Sequence, residues 1–230
     1  VNGAVFYSLD ALFIGRRKNA GQSCGSPAFD DVMFFNQESV DQFVSQYNPP
    51  AKQTESCHNF LAGNAVRSKN RYKDLDETAI FGCGCRHEFP KNFLNLKHGE
   101  RLSYAVWILT ELEKLAADKP FLKIHILYDI ACTLTKHLQN QGENPLLDMF
   151  TFAIPTFHCY GHNGKCQVLF SPRRKTGFGL TDGEMLERLW SYIRGFGKMT
   201  KEMRPSHRID VLTDALLHYG KRSSDKIEIT

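Results

Sequence analysis

Asp10 lies within an apolar run, Val5 to Ile14, that reads as a β-strand. An ionised carboxylate in such surroundings is costly unless it is paired or bound to a cation, and Asp has poor strand propensity. Asp129 ends a second apolar run, Phe121 to Tyr128, where a helix over residues 130–140 begins. In open α/β sheets ligands bind outside the carboxyl ends of strands. If the two strands are neighbours, Asp10 and Asp129 can face each other and share divalent cations; capping of the following helix is the structural alternative for Asp129. A third carboxylate comes from Asp182 to Arg194, a helix with Leu186, Leu189, Trp190 and Ile193 as its apolar stripe. Glu187 falls on the flank of that stripe and Glu184 nearly opposite it. Thr181-Asp-Gly-Glu184 fits a capping box, so Glu187 is the expected ligand and Glu184 the alternate. Three such carboxylates suit two-metal phosphoryl transfer with Mg²⁺ or Mn²⁺.

Two further clusters carry softer ligands. Cys83, Cys85 and His87 alternate along a strand end and so share a face; Cys57 could complete a tetrahedral Cys₃His zinc site. His158, His162 and Cys166 stand at four-residue steps, and a helix there would align them for zinc or phosphate. Buried thiols and surface imidazoles are the plain alternative for both sets, and Cys24 and Cys132 carry no signal of their own. Of the basic segments, Arg16 to Lys18, Arg67 to Lys73, Arg173 to Lys175 and Lys198 to Arg208, the third precedes the Glu187 helix. Arg173, Arg174 and Lys175 are thus the expected contacts to DNA phosphates.

These residues must be held by a mixed architecture. Short strands are expected at Val5–Ile14, Val32–Phe35 and Thr78–Cys85, a helix at 102–115, a strand at 121–128, a helix at 130–140 and a strand at 150–157. Leu102, Ala105, Val106, Leu109, Leu112 and Leu115 line one face of the first long helix. Pro155 favours an edge position for the last strand. A meander followed by strand–helix alternation gives an α/β fold of ribonuclease-H-like type. Its mixed five-stranded sheet is flanked by helices, with an insertion between strands 2 and 3. The chain then reads as one catalytic core over residues 1–230, a fragment of a longer protein, with the inserted segment at about 37–76. A short helix over 37–47 opens that segment, and the polar stretch 51–76 follows it.

The 230 residues carry a formal net charge of +4, which allows a nucleic-acid partner without demanding one. No apolar run reaches the roughly 20 residues of a membrane span, so no membrane partner is expected. The odd count of seven cysteines argues against a disulfide framework.

Tyr128-Asp-Ile-Ala-Cys132, His158 to Gln167, Gly179 to Ser191 and Thr200-Lys-Glu-Met-Arg204 resemble the Kyakuja–Dileera–Zisupton (KDZ) transposases in both wording and order. Cys85-Arg-His87 and Lys97 to Arg101 fit the same family. The resemblance implies a DDE-type, divalent-metal-dependent transposase core from mobile elements abundant in fungal genomes. It implies transposon ends and target DNA as partners, work in the nucleus, and room for a homo-oligomer. Asp10, Asp129 and Glu187 fall on the family's three carboxylates, and the Glu-Arg pair followed by an aromatic and Ser is similar to hAT-type transposases. The family's Asp-Ala/Gly-Asn-Phe is here Asp10-Ala-Leu-Phe13, which keeps a second reading in view: an inactive or domesticated copy that binds DNA or protein.

Overall fold

A computed structural model describes residues 4–23, 25–47, 75–97, 99–119 and 121–228. Strand β1 (Ala4–Leu12) forms the middle of a five-stranded sheet. A two-residue β2 (Arg17–Lys18) pairs outside it with β3 (Leu75–Glu77). β4 (Ala79–Cys85) and β5 (Pro90–Leu96) form a tight antiparallel hairpin, and β4 pairs antiparallel with β1. On the other side of β1, β6 (Lys123–Tyr128) and β7 (Phe150–Ala153) run parallel to it. The spatial order is β5-β4-β1-β6-β7. Parallel neighbours need long crossovers: helix α2 (Leu102–Ala116) carries one, α3 (Ala131–Gln139) and α4 (Pro145–Met149) the next.

The mixed sheet flanked by helices agrees with the expectation, and the last strand does lie at an edge. One strand does not. Val32 to Phe35 makes only an isolated bridge, Phe34 to Phe93, and the remaining sheet strand is Pro90–Leu96. Pro90, Asn92 and Asn95 disguise that segment, and an edge strand tolerates them. The long connection therefore leaves β1 and enters β4, the first and second sheet strands in chain order. It includes helix α1 (Gln37–Gln46), capped by Asn36 accepting from the Ser39 N–H. Residues 48–74, with Cys57 and the basic run 67–73, lie outside the described residues, as does Cys24.

The sheet separates two apolar layers. Leu9, Phe81, Cys83, Leu94, Ile126 and Tyr128 face α2 and α3. Within α2 the stripe is buried at Ala105, Val106, Leu109 and Leu112, Leu102 is partly buried, and Leu115 is 65% exposed in the last turn. On the opposite face Leu12, Ile80 and Phe93 pack against α7 (Met185–Ile193) and α9 (Pro205–Glu228). Between β7 and α7 the chain forms two short helices, α5 (Thr156–Cys159) and α6 (Gly164–Leu169). A 3₁₀ turn (Arg194–Phe196) and α8 (Gly197–Thr200) join α7 to α9.

Helix α9 falls where the sequence shows mainly a basic segment. Its apolar positions Leu212, Ala215 and Leu216 recur at helical spacing, and Pro205 starts it. Its Arg208 is fully buried, forms an ion pair with Glu77 (2.9 Å) and donates to the Asn95 side chain (2.6 Å) and to the Gly15 carbonyl (2.6 Å). Arg17, also buried, pairs with Glu77 (3.2 Å) and with Asp76. Two cations of the expected basic segments are therefore internal braces. Among the described residues, no helix is long and apolar enough to cross a membrane.

Candidate active site

The parallel register sets Leu9 opposite Tyr128. Asp10, still within β1, and Asp129, just past the end of β6, each follow that last rung, so two adjacent strands present carboxylates side by side. Both keep a window to solvent while protein encloses the rest. Each accepts from the next backbone N–H: Ala11 to Asp10 Oδ1 (2.7 Å) and Ile130 to Asp129 Oδ1 (2.8 Å). The other oxygen of Asp10 accepts from Trp190 Nε1 at 2.7 Å. That bond requires α7 to lie close over the sheet. Gly82, opposite Asp10 on β4, provides the space: a Cβ there would come within 2.3 Å of the Phe93 ring and 3.2 Å of Trp190.

Gly183 fixes the entry to α7. Its φ of 85° suits glycine, and a Cβ would collide with Leu127 at 2.6 Å. Its carbonyl accepts from the Ser8 hydroxyl (2.7 Å), tying the turn to β1. Helix α7 starts at Met185, three residues later than expected, and Glu184 does not close a capping box on Thr181. Instead Glu184 Oε1 accepts from the Phe157 N–H (2.8 Å) and Oε2 faces His158 Nδ1 (3.3 Å). Tertiary partners outcompete the local cap. Glu187 Oε1 stands 3.7 Å from His158 Nε2. The Glu187 side chain is 47% exposed and that of Glu184 16%, so Glu187 has the freer oxygens. Asp10, Asp129, His158, Glu184 and Glu187 line one cleft.

Glu100, which precedes α2, is a further carboxylate of this region. It accepts from the buried Tyr128 hydroxyl at 2.7 Å. Its sequence signal is limited to its place in Lys97 to Arg101. Burial first, then the charges of Glu187 and Glu100, push the Asp10 carboxyl up to about 8. Asp129 is raised well above the carboxylate range by burial, Glu100 and Asp10, against the opposing charge of His158. His158 is raised chiefly by its hydrogen bond to Glu184, against burial, with Glu184, Asp129 and Glu187 adding to the effect.

A pH dependence follows. A carboxyl raised in the folded state holds a proton that the unfolded chain has released from about pH 4 upward. Metal-free stability should therefore fall as pH climbs from about 4 through about 8, where Asp10 ionises. His158 acts in the same direction, because a raised imidazole stabilises most below its unfolded value. Denaturant melts across this range should show the decline, and Asp10→Asn should flatten it; a wild-type profile that rises toward pH 8 would contradict the electrostatics.

The softer ligands are arranged differently from the expectation. Cys83 points into the core, where burial pushes its thiol up, while His87 is exposed on the hairpin turn and contacts Arg86. Among the described residues these do not gather as a metal site. His158, His162 and Cys166 do not share a helical face, because a turn separates α5 from α6. His158 joins the carboxylates, and His162 and Cys166 instead meet Cys132. Of the basic triplet, Arg173 and Arg174 are exposed, whereas Lys175 turns inward to donate to the Phe152 carbonyl (2.6 Å). Lys175 is therefore a brace for the edge strand.

A mixed sheet with carboxylates converging from two adjacent strands and a covering helix defines an α/β protein with an acidic cleft. The chain matches the Kyakuja-Dileera-Zisupton transposase family over residues 4–219 and belongs to that family. No curated protein and no solved structure matches it.

Proposed function

We propose that this chain is a DDE-type transposase core that cuts and joins DNA with divalent cations held by Asp10, Asp129 and Glu187. The observation that carries this reading is the parallel β1–β6 register, which sets Asp10 and Asp129 side by side under α7. The fold supports it: an antiparallel meander of β1, β4 and β5, followed by two parallel strands on the other side of β1, is the ribonuclease-H-like order.

The donors fit a hard cation. They are all carboxylate oxygens, and burial together with neighbouring carboxylates raises Asp10 and Asp129. Bound Mg²⁺ or Mn²⁺ would activate the attacking water or 3′-hydroxyl and stabilise the leaving oxygen. Trp190 orients Asp10, and His158 stands between Glu184 and Glu187, whose carboxylates raise its imidazole. Arg86, stacked over Phe6, lies with Leu180 and Asp182 along a groove beside the cleft. Together with Arg173 and Arg174 it suits the DNA backbone. On this reading the protein would work on DNA in the nucleus.

Leu12 stands where the family usually has Asn, and it is buried in the apolar layer beneath α7. The change removes no oxygen from the cleft. Supercoiled plasmid incubated with the chain should be nicked in Mg²⁺ or Mn²⁺ and remain intact in EDTA. Salt-dependent DNA binding without nicking under any cation would favour the inactive, DNA-binding derivative instead.

The two glutamates separate by experiment. Glu187→Gln should lower nicking roughly 100-fold or more, since a cation ligand is worth several kcal/mol. Glu184→Gln should retain more activity and lower the His158 pKa seen by NMR titration. Equal activity losses with an unmoved His158 would overturn the division of roles.

A further inference from the structure

We infer that Cys132, His162 and Cys166 form a zinc site, distinct from the acidic cleft, that ties the Asp129 helix to the segment bearing His158. The three come from separate places. Cys132 is in the first turn of α3, His162 in the turn between α5 and α6, and Cys166 in α6. All three are buried, and one ligand atom from each lies within 4.8 Å of the others. Cys132 Sγ and His162 Nδ1 are 3.5 Å apart. With Zn–S near 2.3 Å and Zn–N near 2.0–2.1 Å, a tetrahedral site has ligand-to-ligand edges of roughly 3.5–3.8 Å. One edge already fits, and the others need shifts of about 1 Å or less.

The chemistry favours a borderline-soft cation. Two sulfurs and an imidazole select zinc over magnesium, whereas the oxygen-only cleft selects the reverse. Neither cysteine is in a disulfide. The backbone around the ligands is held independently: Asn163 Oδ1 accepts from the Cys166 N–H (3.0 Å), and Gln167 donates to the His162 carbonyl (2.8 Å). The turn is thus shaped before metal arrives.

The position gives the site its role. Cys132 follows Asp129 by three residues, and His162 follows His158 by four. A cation bound to both segments fixes the end of β6 against the connection after β7. It therefore sets the distance between Asp129 and His158 without touching either.

The test uses the full chain, purified under reducing conditions and passed over a chelating resin. Metal analysis should find about one zinc per chain. Cobalt exchange should give tetrahedral d–d bands and a thiolate-to-cobalt charge-transfer band. Cys83→Ser/Cys85→Ser and Asp10→Asn/Asp129→Asn should keep both signals, while Cys132→Ser/Cys166→Ser should lose them. His162→Cys preserves a ligand, so it should fold, hold the metal and strengthen the charge-transfer band. That variant and the wild-type spectrum decide the matter if the double serine variant does not fold. A folded wild type without zinc and without a thiolate–cobalt band would overturn the proposal, as would zinc that survives Cys132→Ser/Cys166→Ser.

Discussion

Asp129→Asn should abolish plasmid nicking and leave the chain folded, with a metal-free melting temperature at or above that of the wild type. The two halves of this expectation have one cause. Asp129 sits beside Asp10 and Glu100, and their repulsion together with burial raises its carboxyl. Asparagine keeps the shape and the bond from the Ile130 N–H while removing a carboxyl whose ionisation burial and the neighbouring carboxylates oppose. The folded protein loses a source of repulsion, and the cleft loses the cation ligand proposed for it. Several kcal/mol of transition-state stabilisation correspond to roughly a thousandfold or more in rate. Nicking within tenfold of wild type would contradict the role, and a large fall in melting temperature would assign Asp129 to structure.

The largest effect on stability is expected far from the cleft, at Glu77. This buried carboxylate stands between the Arg17 and Arg208 guanidinium groups, which are both buried. Glu77→Ala would leave two enclosed cations facing each other. Breaking a buried ion pair from one side costs about 3–5 kcal/mol, and each kcal/mol shifts the melting temperature of a chain this size by roughly 2–4 °C. Urea unfolding should report the loss. A cost below about 1 kcal/mol, the scale of an exposed pair, would mean that α9 is not anchored through Arg208.

What the sequence disclosed depended on how local each signal was. The meeting of Asp10 and Asp129 in one cleft is legible because a carboxylate within or just after an apolar strand has few cheap explanations. The stripe of α7 was readable because its spacing is internal to nine residues. Strand β5 was hidden by its proline and two asparagines, and α9 by the charges along it. Glu184 imitates a capping box, and only the Phe157 N–H and His158, brought in by folding, divert it. His158 would share a face with His162 only in one continuous helix, and the chain turns between α5 and α6. Cys132 had no signal of its own, since His162 and Cys166 lie 30 or more residues away. Glu100 approaches Asp10 and Asp129 only through the sheet and the crossover into α2.

The most direct measurement of the central claim is a change of metal preference at Asp129. Asp129→Cys keeps an anionic ligand but exchanges hard oxygen for soft sulfur, which Mg²⁺ binds poorly and Mn²⁺ accepts better. Plasmid nicking by this variant should be lost in Mg²⁺ and regained in part in Mn²⁺, with the wild type active in both. Wild-type rates in Mg²⁺ from the cysteine variant, or nicking by the wild type that persists in EDTA, would contradict a cation held by these carboxylates.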